Sequence, residues 1–172
     1  YNNVKIRNLK NQNSEIIQVK GLPKNPKLSN ISWSPDQKRI ALTNTTETGV
    51  ELWVLELENG SVTKLTEPNL NSNIGSVINW FSDSENMLVK MISNNRRPLI
   101  DTNKIVPDGP TISTNFGEKA QNRTYQDLLK NKFDEHNFEQ LSTSTIYKVS
   151  IDGSVKKWMD DGMYRTISFS PN

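Results

Sequence analysis

Apolar and polar residues alternate over short runs along most of this chain, with the two-residue period of strands that bury one face. Ile31-Ser32-Trp33 and the returning run Arg39 to Thr43 flank Ser34-Pro35-Asp36-Gln37. Proline has no N–H to add to a ladder, and Asp36 can accept from the turn's own amides. Glu51 to Leu57 and Ser61 to Leu65 flank Asn59-Gly60, a strong hairpin signal because glycine reaches positive φ without strain. These runs predict two hairpins and therefore four strands. The opening phrase returns as Ile78-Asn79-Trp80-Phe81-Ser82-Asp83, 47 residues on, and again as Ile167-Ser168-Phe169-Ser170-Pro171-Asn172. In the second copy Met87 to Met91 is the returning strand. Thr145 to Ile151 and Ser154 to Trp158 form its second hairpin around Asp152-Gly153.

Repeats of this length with four strands each predict an all-β chain built from β-propeller blades, stacked face to face around a channel. The expected layout has 1–27 as the end of one blade, 28–67 as a full blade, 68–162 as a second full blade interrupted by an insertion at 93–144, and 163–172 as the start of another. In the first of these, Val4 to Leu9 and Glu15 to Val19 read as outer strands. Two full blades and two partial ones fall short of a closed propeller, so the remaining blades are expected in a larger parent. Trp33, Trp80 and Phe169 are read as packing residues between blades, and Trp53 and Tyr147 likewise.

The insertion is mostly irregular and partly helical by its signals. Arg96-Arg97-Pro98 and Pro107-Asp108-Gly109-Pro110 read as extended and turn-rich, since proline drives the preceding residue out of helical space. Thr124-Tyr125-Gln126-Asp127 has the form of a capping signal before Leu128-Leu129. A second short helix is expected from Asp134, with Glu135 in its first turn and Phe133 stapled against Phe138. An excursion this much longer than the usual loop of about 4–6 residues points to function or disorder, and its caps argue for order.

Composition narrows the chemistry. Hydrophobic content is 33% and the mean hydropathy −0.68, at the polar end for a globular chain and in keeping with many turns. Twenty-one basic residues against nineteen acidic give a net charge of +2, too balanced for a nucleic-acid footprint. No cysteine is present, which excludes disulfides, thiolate ligands and a cysteine nucleophile. The only histidine, His136, is read as a surface or helix-end residue. No Gly-x-Ser-x-Gly elbow, HExxH or calcium loop occurs, and no cofactor or metal is expected. Asp160-Asp161-Gly162 reads as a turn. Four Asn-x-Ser/Thr triplets, at Asn30, Asn44, Asn59 and Asn122, are what an asparagine-rich chain produces by chance. Apolar runs such as Leu52 to Leu55 are too short to span a membrane.

With these residues in view, the chain resembles part of the propeller of a serine peptidase of the prolyl oligopeptidase family, and within it the glutamyl endopeptidase branch. The segments that carry the resemblance are Pro110 to Ser113, Arg123 to Lys130, Asp134-Glu135 with Phe138, Tyr147 to Gly153, Ile31 to Asp36 and Thr46 to Trp53. The resemblance implies an α/β-hydrolase domain elsewhere in the parent that bears the Ser-Asp-His triad. It also implies a propeller that gates and selects peptides for cleavage after acidic residues. None of the triad can be assigned here, so no catalytic residue is expected in this chain. A substrate carboxylate calls for a cation, and arginine's planar fork suits it; Arg123 is the first candidate, with Arg96 and Arg97 behind it. The expected partners are peptide substrates, the missing hydrolase domain and the remaining blades, with no nucleic acid and no membrane span. The resemblance favours a periplasmic or exported bacterial setting. The rival readings are a TolB-like propeller that binds protein partners without catalysis, and a repeat fragment with no activity of its own.

Overall fold

The repeat is visible in the backbone as two matching antiparallel meanders. The structure is a computed structural model and describes residues 1–7, 16–101, 104, 109, 116–117, 129 and 131–170. Strands β1 (Ile6–Arg7) and β2 (Ile16–Ile17) form a short antiparallel pair. Strands β3 (Leu28–Trp33), β4 (Arg39–Thr45), β5 (Val50–Glu56) and β6 (Val62–Lys64) follow as one four-stranded sheet in chain order. Strands β7 (Ile78–Trp80), β8 (Asn86–Ile92), β9 (Ser144–Ser150) and β10 (Val155–Gly162) form the second, again in chain order. Between β8 and β9 lies the helix α1 (Lys132–Ser142).

Register shows that the sheets are copies. Trp33 pairs with Ile40 in the first, and Trp80 with Met87 in the second. In the turns between first and second strands, Gln37 has φ 59° and Ser84 φ 60°, at equivalent positions. Asp36 Oδ1 accepts from the Lys38 amide at 3.1 Å, and Asp83 Oδ1 from the Glu85 amide at 2.9 Å. Each aspartate does for its turn what an extra backbone carbonyl would do.

The chain divides into two compact units, Tyr1–Arg96 with Ser142–Asn172, and Arg97–Leu141. In the first, the apolar faces of the two sheets meet. Ala41, Leu52 and Val54 of the first sheet pack against Ile78, Trp80, Met87, Val89 and Val149 of the second. Removing side chains of this size from water is worth roughly 1.5–3 kcal/mol each. The opposite face of the first sheet buries Leu28, Ile40, Leu42 and Leu55 under Val4, Ile6, Val19 and Leu22. That is why β4 is buried almost without alternation from Ile40 to Asn44: both of its faces are covered.

The sheets converge at their first strands, where the Trp80 indole N–H donates to the Ser32 carbonyl at 3.2 Å. At their last strands they part around a cavity of about 420 Å³ lined by Lys64, Leu65, Tyr147 and Val155 among others. Two meanders that fan out from their first strands are β-propeller blades.

Several expectations need correction. Trp80 is buried between the blades, but Trp33 is 56% exposed: it lies beside Ile40 on the opposite face of the first sheet, outside the cluster that the amino-terminal segment covers there. Phe169, expected between blades, needs no correction: its ring rests on Phe81 of the second blade with centroids 4.6 Å apart. Asp160-Asp161-Gly162 is no turn: it is the end of β10, which bulges between Lys157 and Gly162.

Candidate functional site

The insertion leaves the second blade after β8 and returns at β9, and both stems are held by one carboxylate. Asp161 accepts from Ser93 Oγ at 2.6 Å and Asn95 Nδ2 at 3.0 Å on the outgoing side, and from Thr145 Oγ1 on the returning side. Ser93 and Thr145 are buried, so their hydroxyls need a partner. The hydrogen bonds from Ser93, then Thr145 and Asn95, hold the Asp161 carboxyl below its ordinary value. The bulge in β10 is what turns Asp161 to this duty, shifting it relative to the alternation of the strand.

At the same end of the blade, Lys90 lies in the middle of β8 and is 1% exposed. Its ammonium donates to the backbone carbonyls of Ile74 and, at 3.2 Å, Tyr164. Burial pushes its pKa down, and no carboxylate offsets that among the described residues. Beside it Gly75 has φ +60°, and a Cβ there would lie 1.8 Å from the Arg165 carbonyl oxygen. Only glycine fits so close a backbone approach in that conformation.

In the Arg97–Leu141 unit, α1 straps the extended segment that begins at Arg97. The Asn137 amide bonds both ways to the Ile100 backbone, donating to its carbonyl and accepting from its N–H at 2.8 Å each. Gln140 Oε1 accepts from the Arg97 N–H at 2.8 Å, and His136 Nε2 donates to the Pro98 carbonyl at 3.1 Å. These side chains stand in for a neighbouring strand, which a proline-containing segment could not fully pair with. The helix starts at Lys132, capped by Asn131, whose Oδ1 accepts from the Phe133 and Asp134 amides at 2.9 Å. Phe133 therefore sits inside the helix, and the staple expected of it does not form. The sequence signal that identifies the cap is Asn131 itself, three residues before the acidic pair.

Of the candidate cations, Arg97 pairs with Glu139 at 3.5 Å on an exposed surface. Arg96 is half-buried, with no ion pair among the described residues. Arg123 and the helix expected near Thr124 lie outside the described residues. Among the described residues no group of acids and histidine is arranged to hold a metal. No helix of the described residues is long and apolar enough to cross a membrane.

The fold defines the chain as a segment of a β-propeller with an insertion in one blade. No family model matches the sequence. It is 28% identical over 164 residues to a protein of Oryza sativa subsp. japonica described as "probable glutamyl endopeptidase, chloroplastic", which covers 90% of this chain. The same description belongs to an Arabidopsis thaliana protein 30% identical over 154 residues, covering 81%. By sequence, then, the chain is related to glutamyl endopeptidases, the branch of the prolyl oligopeptidase family that its motifs resemble. It spans only 17% and 15% of the length of these two relatives. Solved structures that resemble it in backbone include TolB from Acinetobacter baumannii, with a TM-score of 0.44, 14% identity, and 89% of this chain and 25% of that one covered. Acylaminoacyl peptidase from Pyrococcus horikoshii also has a TM-score of 0.44, with 21% identity, covering 88% of this chain and 19% of that one.

Proposed function

We propose that this chain is part of one propeller domain, laid out as 1–27, 28–67, 68–162 and 163–172, that gates and selects peptides for a serine endopeptidase. In this reading the catalytic triad lies in an α/β-hydrolase domain of the parent polypeptide, and cleavage follows acidic residues. The observation that carries it is the extent of the similarity to glutamyl endopeptidases. An alignment over 90% of the chain cannot avoid the insertion, so the likeness is more than a shared blade pattern. A propeller suits the task physically, since stacked rigid sheets leave a narrow opening that admits an extended peptide and excludes a folded domain.

The substrate carboxylate needs a cationic partner, and Arg123, Arg96 and Arg97 are the proposed ones in the insertion. The partners in this reading are peptide substrates, the hydrolase domain and the other blades. The test uses the full-length parent: it should label with a fluorophosphonate probe and cleave peptides after Glu in preference to Gln. Arg123→Ala should lower kcat/KM on acidic peptides about tenfold or more, the scale of a lost charge-assisted hydrogen bond. No labelling and no cleavage would replace this reading with that of a protein-binding propeller.

A further inference from the structure

We propose that Arg165, which the sequence did not single out, is a specificity-determining residue that binds a carboxylate of the peptide substrate. The inference rests on the acidic-substrate reading above and adds to it a residue outside the insertion. Its ground is the path of the chain after β10. Gly162, the last residue of β10, is in register with Ser144, and Ser144 with Ile92. The end of β10 therefore lies beside both stems of the insertion. From there the chain runs back across the end of the sheet, for the Arg165 carbonyl meets Gly75, just ahead of β7. Strand β7 belongs to the side on which the blades converge, marked by the Trp80 to Ser32 hydrogen bond. That is the side on which a propeller's channel opens. Arg165 thus stands at the inner rim of the second blade, on the end that carries the insertion.

The backbone there is held and the side chain is not. Lys90 donates to the Tyr164 carbonyl, and the Arg165 carbonyl packs against Gly75 so closely that a side chain there would clash. Among the described residues the Arg165 guanidinium has no hydrogen-bond or ion-pair partner, and the residue is exposed. Arg39 with Glu56 at 2.6 Å, Lys64 with Glu67 at 3.1 Å and Lys157 with Asp160 at 2.6 Å are engaged in this unit, whereas the Arg165 fork is open to a ligand. A fixed backbone removes the main-chain part of the ordering cost of gripping a ligand, leaving only the side-chain part. The ligand class that fits the fork with two parallel bonds is a carboxylate, and a peptide offers one on an acidic side chain or at its carboxyl terminus.

The experiment compares the full-length parent with Arg165→Ala and Arg165→Lys on four matched peptides: Glu or Gln at the cleavage position, each with a free or amidated terminus. Arg165→Ala should cost about tenfold in kcat/KM, mostly through KM, on the peptides whose carboxylate is bound, and leave the others within about twofold. Arg165→Lys should restore part of the loss. A loss confined to the Glu peptides assigns the side-chain carboxylate; one confined to free termini assigns the terminal carboxylate. An equal loss on all four peptides, or none, overturns the role of Arg165. A parent that cleaves the Glu and Gln peptides equally well overturns the acidic-substrate reading itself, whereas a Glu preference and a free-terminus preference both unchanged in Arg165→Ala remove Arg165 alone. Matched thermal midpoints for the variants exclude a folding effect.

Discussion

Trp80 donates its indole N–H to the backbone carbonyl of Ser32, 3.2 Å away in the other sheet, while its ring packs among Ala41, Leu52 and Met87. One side chain thus joins the two blades both by apolar contact and by a directed bond at the strands nearest the channel side. A phenylalanine in its place keeps most of the contact and leaves the Ser32 carbonyl without this donor. Trp80→Phe should cost about 1–2 kcal/mol and Trp80→Ala about 3–5 kcal/mol of unfolding free energy, read from urea denaturation. A Trp80→Phe variant as stable as the wild type would show that the hydrogen bond contributes nothing.

Lys90 makes stability depend on alkaline pH. Burial lowers its pKa in the folded chain below the ordinary 10.5, so on raising the pH the folded state loses this proton before the unfolded state does. Across that window the unfolded state binds more protons, and the Lys90 contribution to stability must rise with pH until 10.5. Denaturation curves across alkaline pH should show this upward contribution in the wild type and lose it in Lys90→Met. Identical pH profiles for the two proteins would contradict the burial of a cation.

Gly75→Ala should be among the most damaging single changes outside the core. The new methyl meets the Arg165 carbonyl, and the φ of +60° is itself unfavourable for alanine by about 1–2 kcal/mol. A total loss of roughly 2–4 kcal/mol is expected, together with faster amide exchange around residues 163–166. A shift in the melting midpoint no larger than that of a surface substitution would mean the two segments do not touch.

Asp161 should guard the stems of the insertion. Asp161→Ala strips partners from Ser93, Asn95 and Thr145 and should cost roughly 2 kcal/mol. Limited proteolysis should then cut faster near residues 93–96. Because the hydroxyls hold its pKa below 3.8, its stabilising contribution is complete above that value and is lost as the pH falls through the folded-state value. Amide exchange at the stems should accelerate in acid in the wild type, and should be less acid-dependent in Asp161→Ala.

Asn131→Ala should lower the helicity of the Arg97–Leu141 unit and cost about 1 kcal/mol, because two amides of the first turn lose their acceptor. Circular dichroism and urea denaturation read it together. Asn131→Asp, which keeps an acceptor at the helix start, should be close to neutral, and a loss as large as that of alanine would argue against capping.

The blades were legible because their signals are local. Alternation assigns a strand's faces, Asn59-Gly60 and Asp152-Gly153 mark hairpins, and the return of Ile-x-Trp after 47 residues marks the copies. What escaped depends on contacts between distant segments. Asp160-Asp161-Gly162 looks like a turn because two acids before a glycine suit one, yet pairing with β9 carries the strand through them to Gly162. Trp33 and Trp80 occupy equivalent positions and look alike in sequence, but what lies against each sheet leaves one 56% and the other 9% exposed.

The amino-acid sequence alone determined the strand-and-hairpin grammar of this protein, its repeat and its kinship, since period, turn chemistry and motif are properties of neighbouring residues. Tertiary structure alone decided that a mid-strand lysine would be buried against two carbonyls, that one aspartate would hold both stems, and that Arg165 would cross to meet Gly75. Those outcomes are set by burial and by register between segments up to 90 residues apart, as from Gly75 to Arg165, and no local pattern encodes them.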